Sequence, residues 1–226
     1  MKKVYQNFLD IIDDDPDEQV FRDVVHSNIF RWHPVDRDEL IKCILYHIKI
    51  GNTNLNDIDV SRITNFQELF SRIIDIVQKD SSITETEIEV FFKHLDISLW
   101  NVSNGINFDK MFYRVPNFNS DISMWNVSSA ESFAYMFLCC KDFNCDLSDW
   151  DVSNCSVFTG MFDGCWKFES NLNKWNVKKG RVFNIMFRNC YSGEIYIDEW
   201  DLSHVDSKNK WNMCIFSNVI MPEDKS

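Results

Sequence analysis

The chain has 226 residues, of which 45% are apolar, 15% aromatic and 26% charged, and its formal net charge is −12. This composition supplies enough apolar side chains for a sizeable folded core. An acidic chain lacks the excess of Lys and Arg that neutralises phosphate, so we expect neither a nucleic-acid partner nor binding to an anionic membrane.

The N-terminal residues do not have the pattern of a secretion signal. Met1–Phe8 is too polar for the apolar core of a signal peptide. No apolar run approaches the roughly 18 residues that a membrane-spanning helix needs. We therefore expect an intracellular or virion-associated protein that does not insert into a membrane.

Residues 1–54 are predicted to form an N-terminal helical cap. Val4–Ile12 and Val20–Val25 are weakly amphipathic, and the acidic run Asp13–Glu18 separates them. Consecutive carboxylates can coordinate Ca²⁺, but this run lacks the spacing and the Gly of a calcium loop, so a solvated helix N-terminus is the favoured interpretation.

The clearest helix of the cap spans Pro34–Lys49. Asp36 is the predicted N-cap, and Glu39, three residues later, completes a capping-box pattern. Apolar residues recur at helical spacing along the segment, and Gly51 is placed to end it. Because this helix directly precedes the first repeat unit, we expect it to cover the end of the stack described next.

Tryptophan recurs every 25 residues in the second half of the chain. The five are Trp100, Trp125, Trp150, Trp175 and Trp200. An aliphatic residue lies three positions before each Trp and another lies two positions after it. Each of the first four is followed at eight positions by a Phe, and then by a Met-Phe pair. These pairs are Met111-Phe112, Met136-Phe137, Met161-Phe162 and Met186-Phe187. A fixed period of this length indicates a solenoid, in which each unit buries its apolar face against its neighbours.

A divergent unit precedes these five, with Ile58 in the Trp position. The next Trp, Trp100, lies 42 residues later, which is 17 more than the period of 25. The insertion is predicted at about residues 71–93 as a helical excursion, with Thr84 and Glu87 as a second capping box. We thus predict six units over residues 55–216, followed by a polar tail at 217–226.

Two patterns predict the local structure of each unit. Ile-x-x-Trp-x-Val has the period-two apolar spacing of a short strand. The Phe-x-x-Met-Phe group has helical spacing and predicts a short helix or helical turn. In the last unit the pattern decays, and Trp211 and Phe216 are expected to fold over the end as a C-terminal cap.

The segments FNSDISMWNVSSAESFAYMF and FNCDLSDWDVSNCSVFTGMF resemble the BspA-like leucine-rich-repeat family, also known from mycoplasma lipoprotein-type repeats. That family's pattern reads roughly FNxDISxWDVSNVTxMxxMF, and the resemblance covers about residues 55–205. It implies a binding or scaffold role without catalytic residues, in a family found on bacterial surfaces, in protozoa and in large DNA viruses. This chain departs from it in having no secretion signal and in carrying Cys or Phe where the family usually has Ala or Met.

Taken together, the repeat and the resemblance predict an α/β repeat solenoid that is leucine-rich-repeat-like. It would consist of short parallel strands and short helical segments behind the N-terminal helical cap.

The sequence contains no recognisable catalytic, cofactor-binding or metal-binding motif. The five His lack HExxH spacing, there is no CxxC, and the six Gly form no phosphate-binding loop. Of the eight Cys, Cys140, Cys165 and Cys190 share one repeat position, so we interpret them as reduced, buried side chains. We predict that the protein is not an enzyme and binds no cofactor or metal.

The predicted strand face is the candidate binding surface. Its outward positions form rows that run from apolar through acidic to basic, and the exposed apolar pair favours a protein contact over a merely solvated face. The residues are Leu99, Met124, Asp149 and Lys174 in one row, Asn101, Asn126, Asp151 and Asn176 in the next, and Lys178. The hypothesis is a non-enzymatic protein-interaction or scaffold module. The alternative is a structural subunit of a larger assembly, such as a minor capsid-type component of a virion or a surface layer.

Overall fold

The computed structural model describes residues 32–80 and 83–222. The two N-terminal stretches predicted as helices, the acidic run Asp13–Glu18 between them, and the last four residues of the predicted tail lie outside the described residues.

The first helix, α1, spans Arg37–Lys49 and confirms the helix predicted there. The Asp36 carboxylate accepts a hydrogen bond from the Glu39 N–H at 2.9 Å. The Glu39 carboxylate accepts from the Val35 N–H at 2.9 Å, one residue before the position expected for a capping box. The helix ends where Gly51 adopts a left-handed φ of 68°, a conformation that glycine adopts without strain.

Helix α1 lies against the first repeat unit. The Arg37 guanidinium donates to the Gln67 carbonyl oxygen at 2.6 Å. Buried His47 has one ring nitrogen 2.8 Å from the Cys43 carbonyl oxygen and the other 3.2 Å from the Asp57 carboxylate. The apolar face of the helix is buried in the same core as the repeat units.

Two helices occupy the region where the period is interrupted. Helix α2 spans Leu69–Val77, and helix α3 spans Glu85–Lys93. The predicted capping box is confirmed, because Thr84 and Glu87 each accept a hydrogen bond from the other's main-chain N–H. Phe91 and Phe92 of α3 are buried.

The 25-residue units stack with their backbones parallel. Parallel bridges join equivalent positions of successive units: Asn65 to Asn107, Asn107 to Ser132, Ser132 to Val157, and Val157 to Val182. On another side of the last units, strands β1 (Ser170–Asn171), β2 (Ile195–Tyr196) and β3 (Val219–Ile220) form a parallel sheet in sequence order. Within the described residues, strand structure is limited to these pairs and single bridges.

The strand predicted around each Trp is wrong. Each segment is a tight turn, in which the N–H of Trp125 donates to the carbonyl oxygen of Ile122 at 3.1 Å. In the first four of these units an Asp or Asn one residue earlier supports the turn, as where the Asp121 carboxylate accepts from the N–H of Ser123 at 3.0 Å. Asp and Asn side chains that bond to the backbone two residues on compete with strand pairing and favour turns.

The Phe-x-x-Met-Phe group, predicted as a short helix or helical turn, forms no helix in the four Trp-containing units that carry it, and a short 3-10 helix spans Ser207–Asn209 in the last unit. Consecutive turns replace the predicted helix, and the residue two after each Phe has a left-handed φ: Lys110, Tyr135, Gly160 and Ile185. This conformation turns alternate N–H groups toward the following unit. Tyr135 donates to Thr159 at 2.7 Å, and Phe137 donates to Met161 at 2.9 Å. The same spacing continues as an α-helix only after the first unit, where α2 follows.

Stacked aromatic rings fill the core, as the repeat predicted. All five repeat Trp are 3% exposed. The Trp100 and Trp125 ring centroids are 6.4 Å apart, with the planes 6° from parallel. A Phe column runs beside them, in which Phe137 lies 5.5 Å from Phe112 and 5.6 Å from Phe162. Burying one such side chain contributes roughly 1.5–3 kcal/mol, so the ring columns are the main source of stability.

The predicted C-terminal aromatic cap is wrong. The side chains of Trp211 and Phe216 are 64% and 68% exposed, whereas the neighbouring Met213 is buried. The hydrogen bonds from the preceding unit align Met213 with buried Met186, whereas Trp211 and Phe216 align with Asn184 and Asn189, which are not buried. This register places the Met side chain, rather than the two aromatic rings, over the core.

Candidate protein-binding surface

The proposed surface consists of turn tips rather than a strand face. Leu99 and Met124 occupy the third position of equivalent turns in consecutive units, and they are 77% and 87% exposed. The turns are closed by N–H donation from Trp100 to Ile97 and from Trp125 to Ile122, each at 3.1 Å. Two large apolar side chains therefore project from neighbouring turns of a rigid stack.

Carboxylates flank this apolar pair. Asp96 and Asp121 each begin a turn, and each accepts hydrogen bonds from the N–H and hydroxyl of the Ser two residues later. The Ser123 hydroxyl and N–H hold the pKa of Asp121 below its usual value, against the smaller opposing effect of burial. The turn tips thus have a negatively charged rim at neutral pH.

The row that follows each Trp has a structural role that the sequence analysis missed. The side-chain oxygens of Asn101, Asn126, Asp151 and Asn176 accept hydrogen bonds from the N–H two residues later, at 3.0–3.3 Å. These side chains are exposed, but an oxygen of each closes a turn. Their recurrence two residues before a Ser in three units is the sequence signal for such turns.

The predicted acidic and basic zones are not separate. The Lys174 ammonium lies 2.6 Å from the Asp149 carboxylate, one unit away in the same row. That hydrogen bond raises the pKa of Lys174. Lys179 donates to the Asn154 side chain at 2.6 Å. Lys178 is exposed, and its N–H closes the turn at Asn176. Charges in these units therefore offset one another across the row, which leaves the apolar pair as the distinctive feature.

Two ladders of side-chain hydrogen bonds hold the turns in register behind this surface. Each repeat Trp donates through its indole N–H to a carbonyl oxygen of the preceding unit. The acceptors for Trp100, Trp125, Trp150, Trp175 and Trp200 are Leu55, Ile97, Ile122, Leu147 and Leu172, at 2.8–3.1 Å. In the same way, Cys140, Cys165 and Cys190 donate to Phe112, Phe137 and Phe162, at 2.9–3.2 Å. A buried indole N–H needs an acceptor, but the repeat alone does not identify it.

The three ladder cysteines are buried, as predicted, and burial raises the pKa of each thiol. All eight cysteines are free thiols in this structure, and Cys139 is exposed. Buried, protonated thiols are poor nucleophiles and poor metal ligands.

A polar groove of about 650 Å³ lies beside β1 and β2, lined in part by Asp146, Glu169, Glu194 and Tyr196. Across residues 32–80 and 83–222, no group of three or more His, Cys, Asp or Glu side chains is arranged to hold a metal ion. The described part of the chain also contains no helix with the length and apolar character that crossing a membrane requires.

These features define a protein of stacked 25-residue units. A scan of family models matches the chain at residues 19–155, 85–200 and 135–218, and the second and third matches begin 50 residues, or two units, apart. The chain belongs to the family described as "Mycoplasma protein of unknown function, DUF285". A search of curated proteins and a search of solved structures each gave no match.

Proposed function

We propose that this chain is a repeat solenoid that acts as a non-enzymatic protein-interaction or scaffold module, with Leu99 and Met124 as its anchor. The observation that carries the proposal is the exposure of these two side chains, 77% and 87%, at adjacent turn tips. Large apolar side chains exposed on neighbouring units favour a contact site over a merely solvated face. Main-chain hydrogen bonds already fix the turns that carry these side chains, so binding need not order the backbone, which favours affinity.

The charges around the anchor indicate the chemistry of the partner. Asp96 and Asp121 lie three residues before the two tips, and the exposed side chain of Asp57 belongs to the preceding unit. A partner that covers Leu99 and Met124 brings its own rim close to these carboxylates. We therefore propose a folded protein with an apolar patch and a Lys- or Arg-rich rim, because complementary charge increases association rate and fixes register.

The membership in a BspA-like leucine-rich-repeat group is part of the same proposal. It is supported by the 25-residue period, by the family match, whose second and third start positions differ by two whole units, and by the parallel stacking of equivalent positions. A solenoid of this kind would use an extended lateral row for binding.

The test is partner capture followed by mass spectrometry with matched variants. Leu99→Asp combined with Met124→Asp should abolish capture and leave the circular dichroism spectrum and melting temperature unchanged, because both side chains are exposed. The control is Val90→Asp on α3, which is 50% exposed and lies on the rival contact surface, the helical insertion. Buried Phe91 and Phe92 are unsuitable for this comparison, because changing either would disturb the core.

Capture that is unaffected by the double Asp variant but lost in the Val90 variant would contradict the proposed surface and assign binding to the insertion. The assembly alternative makes a different prediction, namely that the protein is present in stoichiometric amounts in purified virions or surface layers. Quantitative mass spectrometry of such particles distinguishes the two functions.

A further inference from the structure

One main-chain hydrogen bond between units is missing where α2 leaves the first unit. In the Trp-containing units that carry a Met-Phe pair, the N–H two residues after the Phe of that pair donates to a carbonyl oxygen of the next unit. These bonds run from Arg114 to Leu138, Cys139 to Asp163, Gly164 to Arg188 and Asn189 to Ile215, at 2.8–3.1 Å. The equivalent N–H of the first unit belongs to Arg72, and it donates instead to Glu68 at 2.9 Å, at the start of α2.

The carbonyl oxygen of Tyr113 lacks a donor as a result. The two preceding bonds of the same junction are present, from Glu68 to Asp109 at 2.8 Å and from Phe70 to Met111 at 3.0 Å. The next acceptor in this row is the Tyr113 oxygen, to which no donor in the described part of the chain is hydrogen-bonded. A main-chain acceptor without a protein donor takes one from solvent or from a ligand.

A cleft of about 410 Å³ lies at this place, between α2 and the turn that carries Tyr113. Its volume is within the range of about 300–1,000 Å³ that is usual for small-molecule sites. Five charged side chains line it, namely Glu68, Arg72 and Asp75 from the side of α2, and Lys110 and Arg114 from the next unit. Cations therefore outnumber carboxylates in this cleft, although the whole chain has a net charge of −12.

The cations of the cleft are placed to hold an anion. The Arg114 guanidinium lies 4.9 Å from the centroid of the Tyr113 ring and forms no ion pair with a carboxylate of the described residues. The Lys110 ammonium is 3.1 Å from the Glu68 carboxylate, and both side chains are partly exposed. The Arg72 guanidinium is 3.7 Å from a carboxylate of α1, which is longer than a hydrogen bond. Exposed pairs of this kind are weak, so an anion can compete for these donors.

The acceptors in the same cleft restrict which anion it can hold. The ionised carboxylates of Glu68 and Asp75 and the carbonyl oxygen of Tyr113 only accept hydrogen bonds, so an anion without a proton repels them. A phosphate group that carries an O–H satisfies both sets, because its oxygens accept from Arg and Lys while its O–H donates. A phosphate ester can supply the donor from a hydroxyl group of its organic part. Sulfate has no proton at neutral pH and offers acceptors alone.

We infer that the cleft between α2 and the Tyr113 turn binds a small phosphate ligand that carries a hydrogen-bond donor, either hydrogen phosphate or a phosphate ester with hydroxyl groups. Arg72 and Arg114 bind the phosphate oxygens, and the Tyr113 carbonyl oxygen accepts the donor. None of the lining residues belongs to the Leu99 and Met124 surface, so this site is independent of the function proposed above.

The test is isothermal titration calorimetry of the full chain at pH 7 and constant ionic strength. Inorganic phosphate should bind at least about tenfold more tightly than sulfate, because only phosphate donates to the unpaired acceptors. Glycerol phosphate in a third titration distinguishes the two sources of the group. Binding tighter than that of inorganic phosphate supports an ester as the ligand, and weaker binding supports the free ion. The proposal is overturned if neither phosphate ligand binds, or if phosphate and sulfate bind equally.

Matched variants assign the binding to the cleft. Arg114→Asn should weaken phosphate binding by at least about tenfold, because it removes a charge-assisted donor. It keeps the backbone, since Asn189 occupies the equivalent position with a φ of 62°, close to the 57° of Arg114. Arg181→Gln removes the same charge from an exposed side chain of another unit. It should change the affinity by less than about twofold, because salt screens distant charges.

A second variant tests the cleft without changing any charge. Ser71 lines the cleft from α2, so Ser71→Phe should fill the space and abolish phosphate binding. Circular dichroism melting shows whether each variant is folded. Equal losses for Arg114→Asn and Arg181→Gln would reveal attraction by net charge alone and overturn the proposal. Unchanged binding by a folded Ser71→Phe variant would locate the phosphate elsewhere and overturn it as well.

Discussion

The indole N–H of Trp150 donates a hydrogen bond to the main-chain carbonyl oxygen of Ile122, 28 residues earlier, at 3.1 Å. The same bond, at the same separation, joins Trp125 to Ile97 and Trp175 to Leu147. Each Trp therefore fixes the position of the preceding turn as well as filling the core. This relationship explains how turns without continuous strands stack in register.

Replacing Trp150 with Ala should lower the free energy of unfolding by about 3–5 kcal/mol, because the change removes a buried ring between two units. Trp150→Phe retains an aromatic ring but removes one of the two hydrogen bonds that the Ile122 carbonyl oxygen accepts, since the Trp125 N–H still donates to it, so the cost should be about 0.5–1.5 kcal/mol. Urea unfolding monitored by circular dichroism measures both. Leu99→Ala is the exposed control and should change stability by less than about 0.5 kcal/mol. If Trp150→Ala and Leu99→Ala had the same urea midpoint, the proposed contribution of the buried Trp rings to stability would be wrong.

The cysteine ladder predicts slow thiol chemistry in the native protein. Cys140, Cys165 and Cys190 should react with a thiol reagent only after unfolding, because burial raises their pKa values and blocks access. Exposed Cys139 should react first, although partial burial also raises its pKa. Mass spectrometry of labelled protein gives the order. All eight thiols should be titrated after denaturation without reductant; a smaller number would reveal disulfides.

The turn that follows Trp150 predicts a defined response to acid. Hydrogen bonds from the Ser153 hydroxyl and N–H lower the pKa of Asp151. A carboxylate with a lowered folded-state pKa contributes stability above its unfolded pKa of roughly 4, and loses that contribution as pH falls through the folded pKa. Asp151→Asn keeps the turn, because Asn occupies the equivalent positions 101, 126 and 176. Its urea midpoint should match wild type at pH 7 and fall less steeply below pH 4. Identical pH profiles would show that Asp151 does not contribute.

Gly51 and Gly160 both have a left-handed φ, but only Gly160 has a close neighbour, so replacing each with Ala distinguishes the cost of backbone strain from the cost of a steric clash. Gly160 has a φ of 57°, and an added Cβ would lie 2.6 Å from the Tyr135 ring. Gly51 has a φ of 68°, but an added Cβ would meet no atom within 4 Å. Gly51→Ala should therefore cost about 1–2 kcal/mol, the usual penalty for a left-handed alanine. Gly160→Ala should cost more, because Tyr135 must also move. Thermal unfolding compares the two directly, and a smaller loss at position 160 would contradict this account of the junction.

The comparison of these residues with the sequence shows which features were predictable. The burial of every repeat Trp follows from its 25-residue recurrence, because one unit cannot bury its own apolar face. Helix α1 was also predictable, since Asp36, Glu39 and Gly51 supply local start and stop signals. The exposure of Leu99 and Met124 followed from their place beside a buried Trp. These three features could be predicted because the residues that determine them are close together in the sequence or recur with the 25-residue period.

The conformation of each unit was decided by hydrogen bonds between units together with local ones such as that from Ser123 to Asp121. Ile122-x-x-Trp125 has the spacing of a strand, but two hydrogen bonds stabilise a turn instead. The Asp121 carboxylate accepts one from the Ser123 N–H, and the Ile97 carbonyl oxygen of the preceding unit accepts the other from the Trp125 indole N–H. Likewise, Phe133-x-x-Met136 has helical spacing, but Tyr135 takes a left-handed φ because its N–H donates to Thr159 in the next unit. The acceptors in neighbouring units lie 24–28 residues away. The amino-acid sequence determines which side chains recur at each repeat position. Main-chain hydrogen bonds between units determine the backbone conformation that presents them, because donor and acceptor come together only when the units stack.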